Sequence, residues 1–349
     1  MTLKFKRILV TGGMGFIGSN FIRQLLKFKG TEIVNIDNLS IGSCKKNLSD
    51  LADLENYHFY KKDVCDLDLI DLCLKHNIDC IVHFAAESHV DRSINNPDSF
   101  INTNILGTYN LLRTSQKMVA QNSSFHFHHV STDEVFGSLG ENDKAFTEKH
   151  QYQPNSPYSA SKASSDHLVR SWHHTYGLNV TTSNCSNNYG PYQFPEKLIP
   201  VVIKNALSGI NIPIYGKGNN IRDWLFVEDH CDAILRIIND GIVGETYNIG
   251  GKNEIKNFDI VLKICNILDE LAPLSEPSPY TNQILKLNKY SELISYVEDR
   301  PGHDQRYIID PSKIEEDLDW FPAENFESGI NKTITWYLEN ISWFKYLDA

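Results

Sequence analysis

An α/β fold with a doubly wound parallel sheet and a second, smaller domain is predicted by three features of the 349-residue sequence. Short apolar runs alternate with helical patterns over the first half, which is typical of a parallel sheet covered by helices. A glycine-rich turn follows the first run. After Asn187 the chain becomes rich in loops and proline, and apolar periodicity then returns near Val227. Together these features predict a Rossmann-type sheet with an interleaved C-terminal α/β domain.

The spacing of apolar residues predicts the elements in chain order. The first runs are Arg7–Thr11, Phe16–Phe28, Glu32–Asp37, His58–Lys61, Leu67–Lys75, Cys80–Ala86, Ser99–Val119 and Phe125–Ser131. A long helix over Pro157–Tyr176 and a strand over Leu178–Cys185 follow. The patterns at Val227–Ile238 and Glu245–Ile249 indicate that the chain re-enters the first domain before it finishes in the second.

Composition excludes several classes of function. The net charge of −11 opposes a phosphate backbone, so nucleic acid is not an expected partner. We find no apolar run long enough for a membrane helix, and the N-terminus reads as a first strand and not as a signal peptide. The seven cysteines are odd in number and form no Cys-x-x-Cys pair, which predicts reduced thiols and a cytoplasmic protein.

Glycines follow the first strand in a G-x-x-G-x-x-G spacing, at Gly12, Gly15 and Gly18. Without side chains, the backbone can approach a pyrophosphate, whose charge the helix N-terminus stabilises. A tight strand-to-helix turn is the alternative when this motif stands alone. Asp37 ends the second strand about 20 residues further on, where a carboxylate can bind both ribose hydroxyls of an adenosine. The motif and Asp37 together therefore predict a dinucleotide site.

The residues after Asp37 favour NAD over NADP. Asn38, Leu39 and Ser40 offer no cation to a 2′-phosphate. Asp63 and Val64 follow the third strand, where they are placed to contact adenine, although an aspartate at a strand end is common.

Tyr158 and Lys162 lie four residues apart and share a face of the predicted helix. We expect the ammonium to lower the pKa of the phenol, so that Tyr158 can take a proton from a sugar hydroxyl. This spacing is common by chance and gains meaning only from its position after the glycine motif and Thr132.

The segment Ser131–Gly137 follows a strand and therefore falls at the carboxyl edge of the sheet, where doubly wound folds bind ligands. Asp133 and Glu134 are adjacent carboxyl groups that cannot both ionise easily in one crevice, so one can act as acid and the other as base. Elimination of water needs such a pair. A solvated acidic turn is the alternative.

Three histidines lie nearby on the predicted strand, at His126, His128 and His129. Alternation along the strand puts His126 and His128 on one face and His129 on the other, so no metal site is predicted.

These residues resemble the extended short-chain dehydrogenase/reductase superfamily and, within it, the dTDP-glucose 4,6-dehydratases. The resemblance covers nearly the whole chain. Besides the glycine turn and Ser131–Gly137, it is carried by the strings Ala85–Ser93, Asn187–Pro191, Pro195–Pro200, Arg222–Trp224 and Arg300–Asp304.

The resemblance implies a mechanism in which NAD oxidises carbon 4 of the glucose unit, water leaves across carbons 5 and 6, and hydride returns to carbon 6. Tyr158 would deprotonate the carbon 4 hydroxyl, supported by Lys162, while Thr132 positions the sugar. Asp133 would protonate the departing carbon 6 hydroxyl. Glu134 would remove the carbon 5 proton and later return it. Oxidation comes first because the ketone acidifies that proton.

Binding residues are implied by the same resemblance. For NAD they are Gly12, Gly15, Phe16, Ile17, Gly18, Asp37, Asn38, Leu39, Ser40, Asp63, Val64, Phe84, Ala85, Ala86, Ser88, Thr103, Tyr158, Lys162 and Asn188. For the substrate they are Ser88, Thr132, Asn187, Glu196, Lys197, Leu198, Pro213, Ile214, Tyr215, Arg222, Asn257, Arg300 and His303. Arg222 and Arg300 suit a diphosphate, because a guanidinium forks onto its oxygens. A structural ion pair is the alternative for either.

The domains implied are residues 1–189 for NAD, with 226–250 returning to them, and 190–225 with 251–349 for the nucleotide sugar. A homodimer through the helices over 99–119 and 157–176 is the family expectation.

Three competing functions remain: a UDP-glucose dehydratase, a nucleotide-sugar 4-epimerase and a non-catalytic binding module. The carboxyl pair disfavours the epimerase, and thymine and uracil differ by a methyl group that a pocket discriminates only weakly. The 4-keto-6-deoxy product would feed rhamnose and other deoxysugars.

Overall fold

The computed structural model describes residues 2–299 and 303–347, and strands alternate with helices in its first part. In order, the elements are β1 (Arg7–Thr11), α1 (Phe16–Leu25), β2 (Glu32–Asp37), β3 (Tyr57–Lys61), α2 (Leu69–Lys75), β4 (Cys80–His83), α3 (Val90–Asn95), α4 (Asp98–Phe100), α5 (Thr108–Val119), β5 (His126–Thr132), α6 (Pro157–Tyr176) and β6 (Asn179–Cys185). A π-helical segment, Ile101–Gly107, joins α4 to α5. A 3₁₀ turn, Asp133–Phe136, follows β5.

The second part of the chain is more irregular. Its elements are β7 (Asn187–Tyr189), α7 (Leu198–Ser208), β8 (Ile212–Tyr215), β9 (Ile221–Phe226), α8 (Val227–Asp240), β10 (Thr246–Ile249), β11 (Glu254–Lys256), α9 (Asn257–Leu271), β12 (Ile294–Val297), β13 (Arg306–Tyr307), α10 (Ser312–Leu318), α11 (Phe326–Glu339) and α12 (Ile341–Tyr346). No helix of the described residues is long and apolar enough to cross a membrane.

Seven strands form one parallel sheet in the order β10-β6-β5-β4-β1-β2-β3. The order reverses between β1 and β4, since the chain runs from β1 out to β3 and then returns to β4. The crevice at the carboxyl ends of strands beside such a reversal is where ligands bind in this class of fold. The predicted doubly wound parallel sheet is therefore confirmed, and β10 pairs with β6 after the excursion of the chain into the second part.

Both faces of this sheet are covered by helices. Successive residues of a strand point to opposite faces, so each of them packs in one of two cores. Ile8 and Val10 of β1 pack with residues of α1 and α8, whereas Leu9 between them packs with Leu111 and Leu112 of α5. An apolar run such as Ile8–Val10 therefore has no polar face.

A separate core holds the second part together. Apolar residues of α7, α9 and α11 cluster around Tyr189, Trp224 and Phe226. Strand β9 joins β7, β11 and β13 in a four-stranded sheet, and β8 pairs with β12. The boundaries of the two domains stay a prediction, and this second core is the observation that supports them.

The strand predicted over Cys80–Ala86 is too long. Strand β4 ends at His83: the Phe84 amide makes the last ladder bond, to the Thr11 carbonyl, and the Ala85 amide donates to the Thr11 hydroxyl instead. The helix predicted to Phe28 ends at Leu25. The helix predicted over Ser99–Val119 is interrupted by the π-helical segment described above.

Candidate active site

Three of the four residues in the turn between β1 and α1 are glycines, and the fourth, Met14, is buried in the core. Gly12 has a φ of +71°, and a Cβ at this position would lie 2.7 Å from the backbone nitrogen of Ala85. A Cβ at Gly18 would lie 2.4 Å from the carbonyl oxygen of Gly12. Helix α1 begins after Gly15 with no side-chain cap, so its first amides donate to no side chain at the N-cap position. This turn fits a pyrophosphate, which those amides can bind.

Asp37, at the end of β2, is buried and fixed by three donors. The backbone amides of Met14 and Leu39 donate over 3.0 Å and 2.7 Å, and the Ser43 hydroxyl donates over 3.1 Å. Burial raises the pKa of Asp37, while these hydrogen bonds act in the opposite direction. The carboxylate therefore has a set orientation at the mouth of the glycine turn, as the ribose hydroxyls of NAD require.

One cavity of about 290 Å³ joins the glycine turn to the end of β5. All five predicted catalytic residues line it. The predicted cofactor residues that also line it are Gly12, Gly15, Phe16, Ile17, Gly18, Asp37, Asn38, Ser40, Val64, Phe84, Ala85, Ala86, Ser88, Thr103, Tyr158, Lys162 and Asn188. Two predicted cofactor residues, Leu39 and Asp63, do not line the cavity. Leu39 contributes its backbone to Asp37, and Asp63 accepts from the Asn38 side chain over 2.8 Å.

The carboxyl pair sits on the 3₁₀ turn that follows β5. Thr132 caps this turn: its Oγ1 accepts from the backbone amide of Glu134 over 3.2 Å and donates to Asp133 Oδ1 over 3.3 Å. Asp133 is buried, and its Oδ2 has no hydrogen-bond partner. Glu134 is half-buried. One carboxyl group thus lies in a dry environment and its neighbour in a wetter one.

The pKa of Asp133 is raised well above its ordinary value. Burial is the largest cause, and the charges of Glu134 and Asp223 add to it, while the charge of Arg222 acts against them. These effects favour the protonated form of Asp133, which can donate a proton. This supports the predicted division of labour, in which Asp133 is the acid of the pair.

Helix α6 carries Tyr158 and Lys162 into the same cavity. Its start is fixed by a capping box between Ser156 and Ser159 and by Pro157 at the first helical position. Lys162 is buried and donates from Nζ to the carbonyl oxygen of Val130 over 2.8 Å.

The expected lowering of the pKa of Tyr158 by Lys162 is wrong for this arrangement. Burial raises the pKa of Tyr158, and the charge of Glu134 raises it further. The Lys162 ammonium is directed at β5. Burial also lowers the pKa of Lys162, against the charge of Asp166.

Behind these two side chains lies a buried polar group that sequence reasoning missed. Asp166 Oδ2 accepts from the Ser131 hydroxyl over 2.9 Å, and His129 Nε2 lies 3.1 Å from Asp166 Oδ1. Burial lowers the pKa of His129 to about 4. Asp166 follows Lys162 by four residues on α6, so the same spacing that pointed to Tyr158 could have revealed it.

The π-helical segment also positions the site, and no sequence pattern announces it. The Asn104 side chain on this segment accepts from the backbone amide of Glu87 over 2.8 Å and donates to its carbonyl oxygen over 3.0 Å. It also donates to the Ser161 hydroxyl over 2.8 Å. Asn104 therefore ties the loop after β4, which carries Ser88, to α6. Such segments are frequent at functional sites.

The predicted substrate residues fall into two groups. The cavity is lined by Ser88, Thr132, Asn187, Glu196 and Lys197. Glu196 pairs with Arg92 over 3.1 Å, and Lys197 donates to the Ser88 carbonyl over 2.9 Å. The others are on the second part of the chain and do not line this cavity: Leu198, Pro213, Ile214, Tyr215, Arg222, Asn257 and His303.

Arg222 is buried and donates to the backbone carbonyls of Ile221, Gln305 and Asp304. Its guanidinium also lies 4.3 Å from the centre of the Tyr307 ring. These contacts give Arg222 a structural role towards backbone carbonyls and the Tyr307 ring; the ion pair and the diphosphate role both stay predictions. Arg300 lies outside the described residues.

Comparison with known proteins identifies relatives over nearly the whole chain. The family model described as GDP-mannose 4,6 dehydratase matches residues 9–333. A dTDP-glucose 4,6-dehydratase of Neisseria meningitidis is 51% identical over 346 residues, 97% of this chain and 95% of that protein. The dTDP-glucose 4,6-dehydratase 1 of Escherichia coli K12 is 52% identical over 351 residues, 97% of this chain and 94% of that protein.

The chain belongs to the dTDP-glucose 4,6-dehydratase family. A solved member, DesIV from Streptomyces venezuelae with NAD bound, superposes with a TM-score of 0.87 at 40% identity and covers 98% of this chain and 99% of its own. The UDP-glucose 4-epimerase of Thermotoga maritima superposes with a TM-score of 0.79 at 28% identity, covering 96% and 99%. The fold is thus shared with epimerases, whereas the dehydratase family is the one that the sequence relatives show. The predicted family is confirmed.

Proposed function

We propose that this protein dehydrates dTDP-glucose to dTDP-4-keto-6-deoxyglucose, with NAD as its cofactor. The observation that carries the proposal is the buried Asp133 acid beside Glu134, in one cavity with Tyr158 and the glycine turn. NAD accepts hydride from carbon 4 and returns it to carbon 6, so it is regenerated in each cycle. The glycine turn and Asp37 hold it.

Asp133 and Glu134 divide the elimination between them. Asp133 protonates the departing carbon 6 hydroxyl, because burial and the charge of Glu134 raise its pKa and so favour the protonated carboxyl group. Glu134 removes the proton from carbon 5, which the neighbouring ketone has acidified. Thr132 fixes the turn that carries both residues, since its hydroxyl donates to the Asp133 carboxyl group and accepts from the backbone amide of Glu134.

Tyr158 takes the proton from the carbon 4 hydroxyl. Burial and the charge of Glu134 raise its pKa, so the ionised phenol would be a strong base. Support of this phenol by Lys162 is what the family resemblance implies, and the Lys162 ammonium donates to the Val130 carbonyl in this structure. The carboxylate of Asp166 raises the pKa of Lys162 against the effect of burial, and so helps the buried lysine to stay charged.

The second domain binds the nucleotide sugar in this proposal. The nucleotide sugar would contact the cavity-lining residues Asn187, Glu196 and Lys197. Arg222 is close enough for its charge to lower the pKa of Asp133, which brings this domain next to the reacting carbons. The residues on β8, with Asn257 and His303, would contact the distal nucleotide. The family expectation for Arg300 is a bond to the diphosphate.

We also infer a homodimer and a cytoplasmic location. Ile101 and Leu106 on the π-helical segment and Tyr109 on α5 are exposed apolar side chains, and they lie within the helix 99–119 expected at the interface. A second copy of this chain would cover them. All seven cysteines are free, which supports a reducing compartment.

Mass spectrometry of dTDP-glucose and UDP-glucose, each incubated with the purified protein, tests the proposal. We expect dTDP-glucose to lose one water and UDP-glucose to react more slowly. An unchanged mass with conversion to the galactose isomer would make the protein an epimerase. Preferred loss of water from UDP-glucose would replace the substrate and leave the reaction class intact.

A further inference from the structure

Three potential metal ligands converge at the end of the sheet opposite to the active site. Glu32 opens β2, His58 is the second residue of β3, and His76 directly follows α2. Catalytic and cofactor residues lie at the carboxyl ends of these parallel strands, whereas this cluster lies towards their amino ends. Neither the family resemblance nor the proposed dehydration uses it.

The ligand atoms are close enough to share one ion. Glu32 Oε1 lies 2.9 Å from His76 Nδ1 and 3.5 Å from His58 Nε2, and all three atoms lie within 4.8 Å of one another. In a tetrahedral zinc site with bonds of about 2.0–2.2 Å, neighbouring ligand atoms are separated by about 3.3–3.6 Å. Both ring nitrogens thus approach the same carboxylate oxygen at distances that a central ion would need to change only slightly.

The sheet itself builds this convergence. Val34 pairs with His58 across β2 and β3, so Glu32, two residues before Val34, lies on the same face and is a diagonal neighbour of His58. The ring of His76 lies 5.0 Å from that of His58. Two strands and the end of α2 therefore each contribute one ligand.

A second layer of contacts orients His76. Its Nε2 lies 2.9 Å from the Tyr60 hydroxyl, which also accepts from Lys75 Nζ over 3.2 Å. Ligating histidines usually donate their second ring N–H to such a partner, which fixes the tautomer that leaves the other nitrogen free to bind metal. When Nδ1 binds an ion, Nε2–H can donate to the Tyr60 hydroxyl; without an ion, Nδ1–H can donate to Glu32 Oε1 over 2.9 Å instead.

We propose that Glu32, His58 and His76 bind a late first-row divalent cation, with Zn²⁺ as the principal candidate. Two imidazoles and a carboxylate are ligands suited to zinc. His76 is largely buried, while about a third of the side chains of His58 and Glu32 remains exposed, which leaves room for a fourth ligand from solvent. The ion would fasten the edge strand β3 to α2 and β2. The site is structural, because it lies away from the cavity that holds the reacting groups.

Equilibrium dialysis of the untagged, chelator-treated full chain against ZnCl₂, with metal analysis, tests the site. We expect one Zn²⁺ per chain, lost in His58→Gln, His76→Gln and Glu32→Gln. Tyr60→Phe should weaken binding by about 10–100-fold. His174→Gln is the matched control, because this exposed histidine also lies beside another histidine ring, that of His173, and it should bind as the wild type does.

Two results would overturn the site: no zinc bound by the wild-type chain, or the same binding in the His58→Gln and His76→Gln chains as in His174→Gln. In either case the three groups form only a histidine–carboxylate ion pair. Turnover of the same variants separates a folding defect from a lost ligand. Each should act on dTDP-glucose at the wild-type rate, and Glu32→Gln keeps the shape of the side chain if a histidine variant fails to fold.

Discussion

The backbone amide of Met14, in the glycine turn, donates a hydrogen bond of 3.0 Å to Oδ2 of Asp37. The carbonyl oxygen of Met14 accepts from the Asn47 side chain over 2.9 Å. Asn47 in turn accepts from the indole nitrogen of Trp343 on α12 over 2.8 Å. All of these groups are buried. The C-terminal helix therefore supports the turn and the carboxylate that are assigned to NAD.

We expect Trp343→Phe to weaken NAD binding by up to about fivefold, because a hydrogen bond worth about 1 kcal/mol is removed from this support. Trp224→Phe is the matched control: Trp224 is equally buried, but its indole nitrogen has no hydrogen-bond partner. Titration of NAD into both variants measures the difference. Equal dissociation constants in the two variants would show that α12 does not support the cofactor site.

Gly12→Ala should reduce NAD affinity by about tenfold or more. The new Cβ would meet the backbone of Ala85, which cannot move like a flexible side chain. Gly30→Ala is the control, since Gly30 also has a positive φ, of +78°, but no atom lies within 4 Å of its Cβ position. The Gly30→Ala variant therefore bears only the cost of a left-handed backbone conformation for alanine, about 1–2 kcal/mol. Identical NAD binding by the two variants would argue against a close-packed turn.

Asp133→Asn should stabilise the protein at neutral pH. The unfolded chain releases the Asp133 proton near its ordinary pKa, whereas burial raises the folded pKa, so folding must take up a proton in the window between the two. This cost grows by about 1.4 kcal/mol for each pH unit as pH rises through that window. The gain in the midpoint of thermal unfolding should therefore be larger near about pH 7 than near about pH 4. A gain that is the same at both values would mean that Asp133 is ionised in the folded protein.

Tyr158→Phe should slow even the first hydride transfer by about 10²–10⁴-fold, because it removes the base for the carbon 4 hydroxyl. The appearance of NADH after mixing with dTDP-glucose reports this step. Tyr189→Phe is a suitable control, since Tyr189 is also buried and its hydroxyl has no hydrogen-bond partner. A wild-type rate in Tyr158→Phe would require another base.

The parallel sheet and the predicted catalytic segment follow from local signals in the sequence. Arg7–Thr11 and Pro157–Tyr176 have the predicted bounds, since the first is apolar on both faces and the second starts at a capping box with proline. The carboxyl pair was placed correctly because it directly follows a strand of the parallel sheet.

Features that depend on distant contacts could not be read in the same way. The π-helical segment accompanies bonds from Asn104 to Glu87, 17 residues away, and no local pattern encodes them. The pKa of Tyr158 was predicted from Lys162 alone, whereas burial and Glu134 determine its direction. Arg222 was assigned by its charge, yet its guanidinium is bonded to backbone carbonyls that lie more than 80 residues further along the chain.

The most direct test of the central claim is to mix Glu134→Gln with dTDP-glucose and to follow NADH absorbance and product mass together. Glu134 acts after oxidation, so NADH should appear and persist while no water is lost from the sugar. Normal formation of the dehydrated product by this variant would remove Glu134 from the mechanism and contradict the assignment of the carboxyl pair.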